Sequence, residues 1–538
     1  MSSKLVQEHA WAAFQEGATG LSNLGSIGNM GQNPQNCHRA VLSCFGAPPG
    51  AHSMTWIDIP MKVGNVVKHR PHPFLLPHEF FASFYSGLKT KWASVMSGGA
   101  GACKQFWGEI KDSLFVRHHP NLDQSTWGRT IPLGLHGDGV SFSHQDSLYV
   151  FSWNSLMGVG TTIQKRFIFA TVKKSDFGEG TLEAVFKVLA WSFNTLLEGV
   201  TPSRDVWGRA LTGGGVQLAD GWRGALCQVR GDWAFYKEVF GFPQWNAAER
   251  MCWICRASGT NPELAWTNCR PDAGWRRTRW THEGYLAFLR AAGIAVPALL
   301  ILIVGFRIDC VMVDVLHTVD QGIGSHIIGN TLWHVGARLG RLGRGTIEEK
   351  VKLLEEHLKK WYKDHPEATS RLQGKLTEPR LRSKNGWPKL KGKAAATRHL
   401  AEYALHLVTS LAPEGRQVAG VCDQLVRFYA IMQAESMFLS DEARAEMPKI
   451  GTTLALLYSA LASKAAASFI KAWKMSPKLH LFEHWTEEQC LEHGNPRYYW
   501  TYPDEDLAGS MAEVAESCHP ATMASSALFK WLHTVFAY

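Results

Sequence analysis

A chain of 538 residues exceeds what one hydrophobic core ordinarily serves, roughly 250–300 residues, so two to four domains, or one domain with large insertions, are expected. With 45% hydrophobic and 19% charged residues, together with 22 Trp, the composition excludes a disordered or low-complexity chain. The formal charge of +9 is concentrated: between Arg371 and His399 nine Lys/Arg stand against a single acid, Glu378.

The opening residues lack the basic and apolar regions of a secretory signal. The longest apolar run, Ile294 to Phe306, is too short to span a bilayer and carries Pro297, so no membrane is expected. A reducing compartment is expected for the 11 Cys, which favours metal or thiol chemistry wherever two of them are close.

Up to about residue 90 the chain is rich in Gly, Pro and His with few periodic apolar positions, and is expected to be irregular or weakly helical. From Phe80 to Phe115 the apolar spacing becomes helical. The runs "TIPLGLHGDGVSF", "SLYVFSWNSLM" and "KRFIFATVKK" then predict strands, "TLEAVFKVLAWSFNTLLEGV" an amphipathic helix, and "WRGALCQVRGDWAF" a further strand. This β-β-β-α-β order, with an Asp near the end of its first and last strands, matches the core of a ribonuclease H-like fold. After Asp232 the chain turns mostly helical, with strong helical runs from Thr346, Arg398, Cys422 and Thr452, and no internal repeat.

Carboxylates far apart in sequence but placed at strand ends can converge on a pair of divalent cations, which suits phosphodiester chemistry. Mg²⁺ takes oxygen ligands and keeps water for a substrate. Asp138 in "LHGDGVSF" is the best first acid and Asp232 in "RGDWAF" the best second; the competing reading of each is a turn aspartate capping the next element. "YYWTYPDEDLAG" offers Asp504, Glu505 and Asp506 at the start of a helix, where acids also serve as ordinary N-terminal residues.

In "ERMCWICRAS", Cys252 and Cys255 form a Cys-x-x-Cys pair outside any small α/β unit of the redox kind, which disfavours redox and leaves open half of a structural zinc site or a buried cysteine pair. His480 and His484 in "SPKLHLFEHW" share one helix face, with Cys269, Cys310 and His317 as rivals for the missing ligands. Asp314 and His317 read either as a pair close to a metal or as a helix cap with a core histidine. "CRPDAGWRRTRW" and the Arg371–His399 stretch place cations beside aromatics, which suits nucleic acid or an ordinary solvated surface equally.

Taken in order, "HGDGVSF", "GDWAFYKEVFGFPQWNAAERMCWIC", "VDVLHTVDQGIGSHIIGNTLW", "SPKLHLFEHW" and "NPRYYWTYPDEDLAG" resemble DDE transposases of the CACTA type, within the CACTA, Mirage and Chapaev group and its Plavaka-like relatives. The resemblance runs from about Ile131 to Leu532. It implies an α/β, ribonuclease H-like core with a large, mostly helical, zinc-containing insertion, divided as 1–128, 129–245, 246–475 and 476–538. It implies Asp138, Asp232 and Glu505 as ligands of Mg²⁺ or Mn²⁺. It implies Cys252, Cys255, His480 and His484 as one zinc site tying the insertion to the helix that carries Glu505; the catalytic subunit of the V(D)J recombinase is arranged similarly. DNA as partner, a homo-oligomer and a nuclear location follow from the same resemblance. Asp506 stands where relatives often have Arg, so the third acid is open to a shift of one position. A domesticated, non-catalytic DNA-binding protein that keeps the fold and the zinc site is the alternative.

Overall fold

The computed structural model describes residues 3–19 and 54–537 of the chain, and its first strands lie where irregular chain is expected. β1 (Thr55–Val63) and β2 (Val66–Phe74) pair antiparallel across a tight turn in which Gly64 takes φ +62°. Ile57, Ile59 and Met61 are buried while Trp56, Asp58 and Lys62 are exposed, the alternation of a half-buried strand. The expectation of irregular chain is corrected here. Pro71 and Pro73 masked β2, but a strand paired on one side only tolerates residues that donate no hydrogen bond.

His72 of β2 is buried, and that burial lowers its pKa to about 4 against a weaker opposing backbone hydrogen bond at Thr171. A depressed histidine pKa means that the fold holds the neutral ring. The stability it contributes is present above the unfolded value of about 6.5 and is lost as pH falls through about 4, at most ~3 kcal/mol. The urea midpoint of the wild type should therefore drop relative to that of His72→Phe between pH 6.5 and pH 4. A constant difference between the two would show that the ring is not held neutral.

β3 (Thr130–Ser141), β4 (Ser147–Ser155), β5 (Phe167–Lys173) and β6 (Arg223–Arg230) form one mixed sheet in the order β5-β4-β3-β6. β3 and β4 are antiparallel, as are β4 and β5, whereas β6 runs parallel to β3. A parallel neighbour requires a crossover, and α1 (Thr181–Glu198) lies in it. Its apolar stripe, including Val185, Leu189, Phe193 and Leu196, is buried, and Gly199 closes it in the left-handed conformation. Beyond β6, Val311 adds a single parallel bridge to Val229, and the Met312 amide donates to the Val229 carbonyl at 2.9 Å.

The remainder is mostly helical. Long helices at Ile347–Asp364, Ala394–Leu411, Arg416–Ala434 and Asp441–Ala467 match the expected runs. The last of these is long and apolar enough to cross a bilayer by length and composition, but Met447, Ile450, Leu454 and Tyr458 bury one side of it in the protein. A contiguous cluster of buried apolar side chains runs from Ile57 in β1 to Val535 near the end of the described chain. The structure is thus an α/β protein with a mixed sheet and a predominantly helical remainder.

Candidate metal centres

Asp138 lies near the end of β3 and Asp232 two residues beyond the end of β6, its parallel neighbour. The parallel pairing of β3 and β6 reaches His136 and Arg230, and one ring packs against the residues that follow on both strands. Phe235, in α2 (Trp233–Phe240), lies so close to Gly137 and Gly231 that a Cβ at either would sit within 2.3 Å of its ring atoms. Asp232 is the N-cap of α2: its Oδ1 accepts from the Phe235 amide at 2.7 Å. The capping reading of Asp232 therefore holds, and capping occupies one oxygen of a carboxylate that has two. Asp138 Oδ1 accepts from the Gly139 amide at 2.7 Å.

α3 (Pro477–His484) and α4 (Tyr502–Glu516) carry the downstream candidates. The three consecutive acids at the start of α4 go to three different places, because successive helical residues point about 100° apart. Asp504 is buried, with Oδ1 2.6 Å from Arg166 Nε and Oδ2 3.2 Å from Arg230 Nε; both guanidiniums are also buried. Although burial opposes it, those two cations hold the Asp504 carboxyl far below the usual carboxylate range. Asp506 is exposed. Glu505, between them, faces His317, whose Nε2 lies 3.9 Å from its Oε1.

The Asp504 bond to Arg230 holds the start of α4 against the end of β6, two residues before Asp232. Asp314 holds it from another side. Its Oδ1 accepts from the Thr501 amide at 3.0 Å, and its Oδ2 accepts from both the amide (2.9 Å) and Nδ1 (2.8 Å) of His317. Burial raises the Glu505 pKa to about 7; Asp138 is the next largest cause, with Asp314 and Asp232 adding to it against His317. Asp138, Asp232 and Glu505 thus share one electrostatic neighbourhood. They do not form a tight knot: among the described residues, the group of ligand atoms lying within 4.8 Å of one another is a different one.

That group is Cys252, Cys255, His480 and His484, all buried. Cys255 Sγ lies 3.3 Å from His480 Nε2 and 3.1 Å from His484 Nε2. Zinc bonds of about 2.3 Å to sulfur and 2.0–2.1 Å to nitrogen at tetrahedral angles put such atoms about 3.5 Å apart, so the donor set has the right size and chemistry. The thiols and imidazoles also share charge. Burial would raise the Cys252 thiol, but the Cys255 hydrogen bond and the neighbouring His484 and His480 bring it well below the ordinary range. His484 moves up to about 10: burial opposes the shift, and the Cys252 thiolate is the leading cause in its favour. His484 Nδ1 faces Glu488 Oε2 at 3.4 Å, the carboxylate–histidine arrangement that orients a metal-binding ring. The Trp275 ring packs edge-on against both histidines, 4.3 and 5.0 Å between ring centroids.

The rivals go elsewhere. Cys269 Sγ faces the Thr267 carbonyl at 3.7 Å, Cys310 is buried near Cys227, and His317 belongs with the acids. Part of one basic patch is also taken up internally. Arg276 pairs with Glu483 and Glu487, and Arg279 reaches Glu488 at 3.4 Å and Glu492 at 3.1 Å. Two of the arginines in "CRPDAGWRRTRW" are therefore used on the acids of α3 and the segment after it, while Arg270 and Arg277 are exposed.

The Arg166–Arg230–Asp504 cluster was not singled out from the sequence. The polar Gln228 and Arg230 inside an otherwise apolar strand were the signal available for it, since a buried cation demands a partner. No protein-family model matches the chain, and no curated protein matches it in sequence.

Proposed function

We propose that the chain is a DNA transposase, or a protein derived from one, of the CACTA kind, with a ribonuclease H-like core that cleaves and joins phosphodiesters. The observation that carries this reading is the placement of three acids remote in sequence. Asp138 lies near the end of a central strand, Asp232 follows its parallel neighbour, and Glu505 stands on a helix tied to that neighbour through Asp504 and Arg230. The strand order β5-β4-β3-β6, with Val311 adding a parallel bridge at the β6 side, is the order expected of a ribonuclease H-like sheet. A buried Cys₂His₂ group joining the insertion to the segment before α4 supports the same reading.

Asp138, Asp232 and Glu505 supply hard oxygen donors, the set that suits Mg²⁺ or Mn²⁺. Such a cation pair, when bound, activates a water or a 3′-hydroxyl for in-line attack and stabilises the leaving oxygen. The chain's own part is positioning: Phe235 packs on the glycines beside Asp138 and Asp232, Asp504 and Asp314 seat α4, and His317 stands beside Glu505.

The test is Asp138→Asn in the full chain, assayed for Mn²⁺-dependent nicking of supercoiled plasmid DNA. A loss of at least about a thousandfold is expected, roughly 4 kcal/mol of transition-state stabilisation, with duplex affinity and melting temperature unchanged. Nicking at the wild-type rate by that variant would remove the acids from the reaction.

A further inference from the structure

A cavity of about 400 Å³ opens beside Asp232, between the two segments that the Cys₂His₂ group joins. Trp253, the residue after Cys252, forms part of its wall, packed edge-on to Trp233 at 5.2 Å and stacked on Phe242. Lys478 of α3 contributes another part, its Nζ donating to the His317 carbonyl at 2.7 Å. Residues close in sequence to the metal donors thus line the cavity from both segments.

Two further features are unusual for a structural cavity. Trp245 lines it with 57% of its surface exposed, and no ring packs on it among the described residues. Lys389 and Lys474 also line it, and neither pairs with a carboxylate among the described residues. Lys389 is half-buried, and its ammonium is disfavoured by that burial first and by Lys474 next. Two cations crowded at the rim of an aromatic cavity are stabilised by an anion, and flat apolar faces are stabilised by a stacked ring. A nucleotide supplies both, and a cavity of this volume is within the range of small-ligand sites.

We infer that this cavity is a subsite for one unpaired nucleotide of a DNA strand next to the phosphodiester presented to Asp232, with its base on Trp245 and its phosphate on Lys389 and Lys474. The inference rests on the reading of the acids as a cleavage site, and it gives that site a preference for DNA that is unpaired beside the scissile bond. It also gives the Cys pair a second consequence, since the metal node holds Trp253 and Lys478 in the cavity wall.

The experiment uses the full-length Asp138→Asn chain in Ca²⁺. The probes are a duplex with a short single-stranded extension carrying 2-aminopurine, the same duplex blunt-ended, and free dTMP as competitor. The extended duplex should bind about tenfold tighter than the blunt one and its 2-aminopurine emission should be quenched. Trp245→Ala should abolish the quench and the preference, and Lys474→Ala should lower affinity for the extension and reduce its salt slope by about one. Both side chains are exposed, so a shared melting temperature serves as the folding control. Equal binding of both duplexes, or an undiminished quench in Trp245→Ala, would overturn the inference. Competition by dTMP as effective as that of the strand would overturn DNA as the occupant. Capture that persists while Asp138→Asn still nicks would instead overturn the cleavage reading, so the two failures are distinguishable.

Discussion

Replacing Cys255 by serine is expected to leave the purified chain without metal and without a cooperative unfolding transition. Cys255 Sγ is close to both imidazoles, so its loss removes the donor at the centre of the group. The site is fully buried and lies between two parts of the chain more than two hundred residues apart, so no local rearrangement can replace the ligand. A structural zinc is worth about 10–16 kcal/mol of apparent binding free energy, as much as the ~5–15 kcal/mol that separates a typical folded domain from its unfolded chain. Elemental analysis for zinc should fall to background in Cys255→Ser, and chelation of the wild type should reproduce its unfolding. Cys269→Ser, at the rival thiol, should keep both metal and fold. Wild-type zinc content and melting temperature in Cys255→Ser would dismiss the site.

The second large effect separates neighbouring acids. Asp504→Asn removes the only carboxylate within 4 Å of Arg166 and Arg230 among the described residues and leaves two buried guanidiniums in each other's field. Breaking a buried pair from one side typically costs about 3–5 kcal/mol. A fall of that size is expected in the urea-derived stability, and it should weaken DNA nicking by loosening α4. Glu505→Gln, one residue on, should do the reverse, with stability within about 0.5 kcal/mol of wild type and metal-dependent nicking abolished. Asp506→Asn, at an exposed position, should change neither. If Glu505→Gln proved the destabilising member, the roles of the two residues would have to be exchanged.

How much of this was legible varies with the physical range of the interaction. α1 carried its periodicity in the sequence because it buries one stripe, and β4 and β5 showed as apolar runs because both of their faces are buried. β1 and β2 did not carry it as plainly, because the Pro and His of β2 are acceptable only once that strand is known to be paired on one side. The acids at 138, 232 and 505 were named from position and resemblance, and the structure gathers them into one electrostatic neighbourhood. Arg166, Arg230 and the Trp245–Lys389 cavity gave little warning, being made by residues from remote segments.

The sequence by itself determined the α/β alternation, the helical remainder, and a set of residues whose chemistry suits metals. It could not rank Asp504 against Glu505, or His480 and His484 against Cys269, Cys310 and His317. Composition and spacing describe what a residue is able to do, whereas these choices depend on which cation or thiol stands opposite. Tertiary structure separated them through burial: two buried arginines take Asp504, Glu505 stands beside His317, and two sulfurs sealed from solvent meet the only imidazoles that reach them among the described residues.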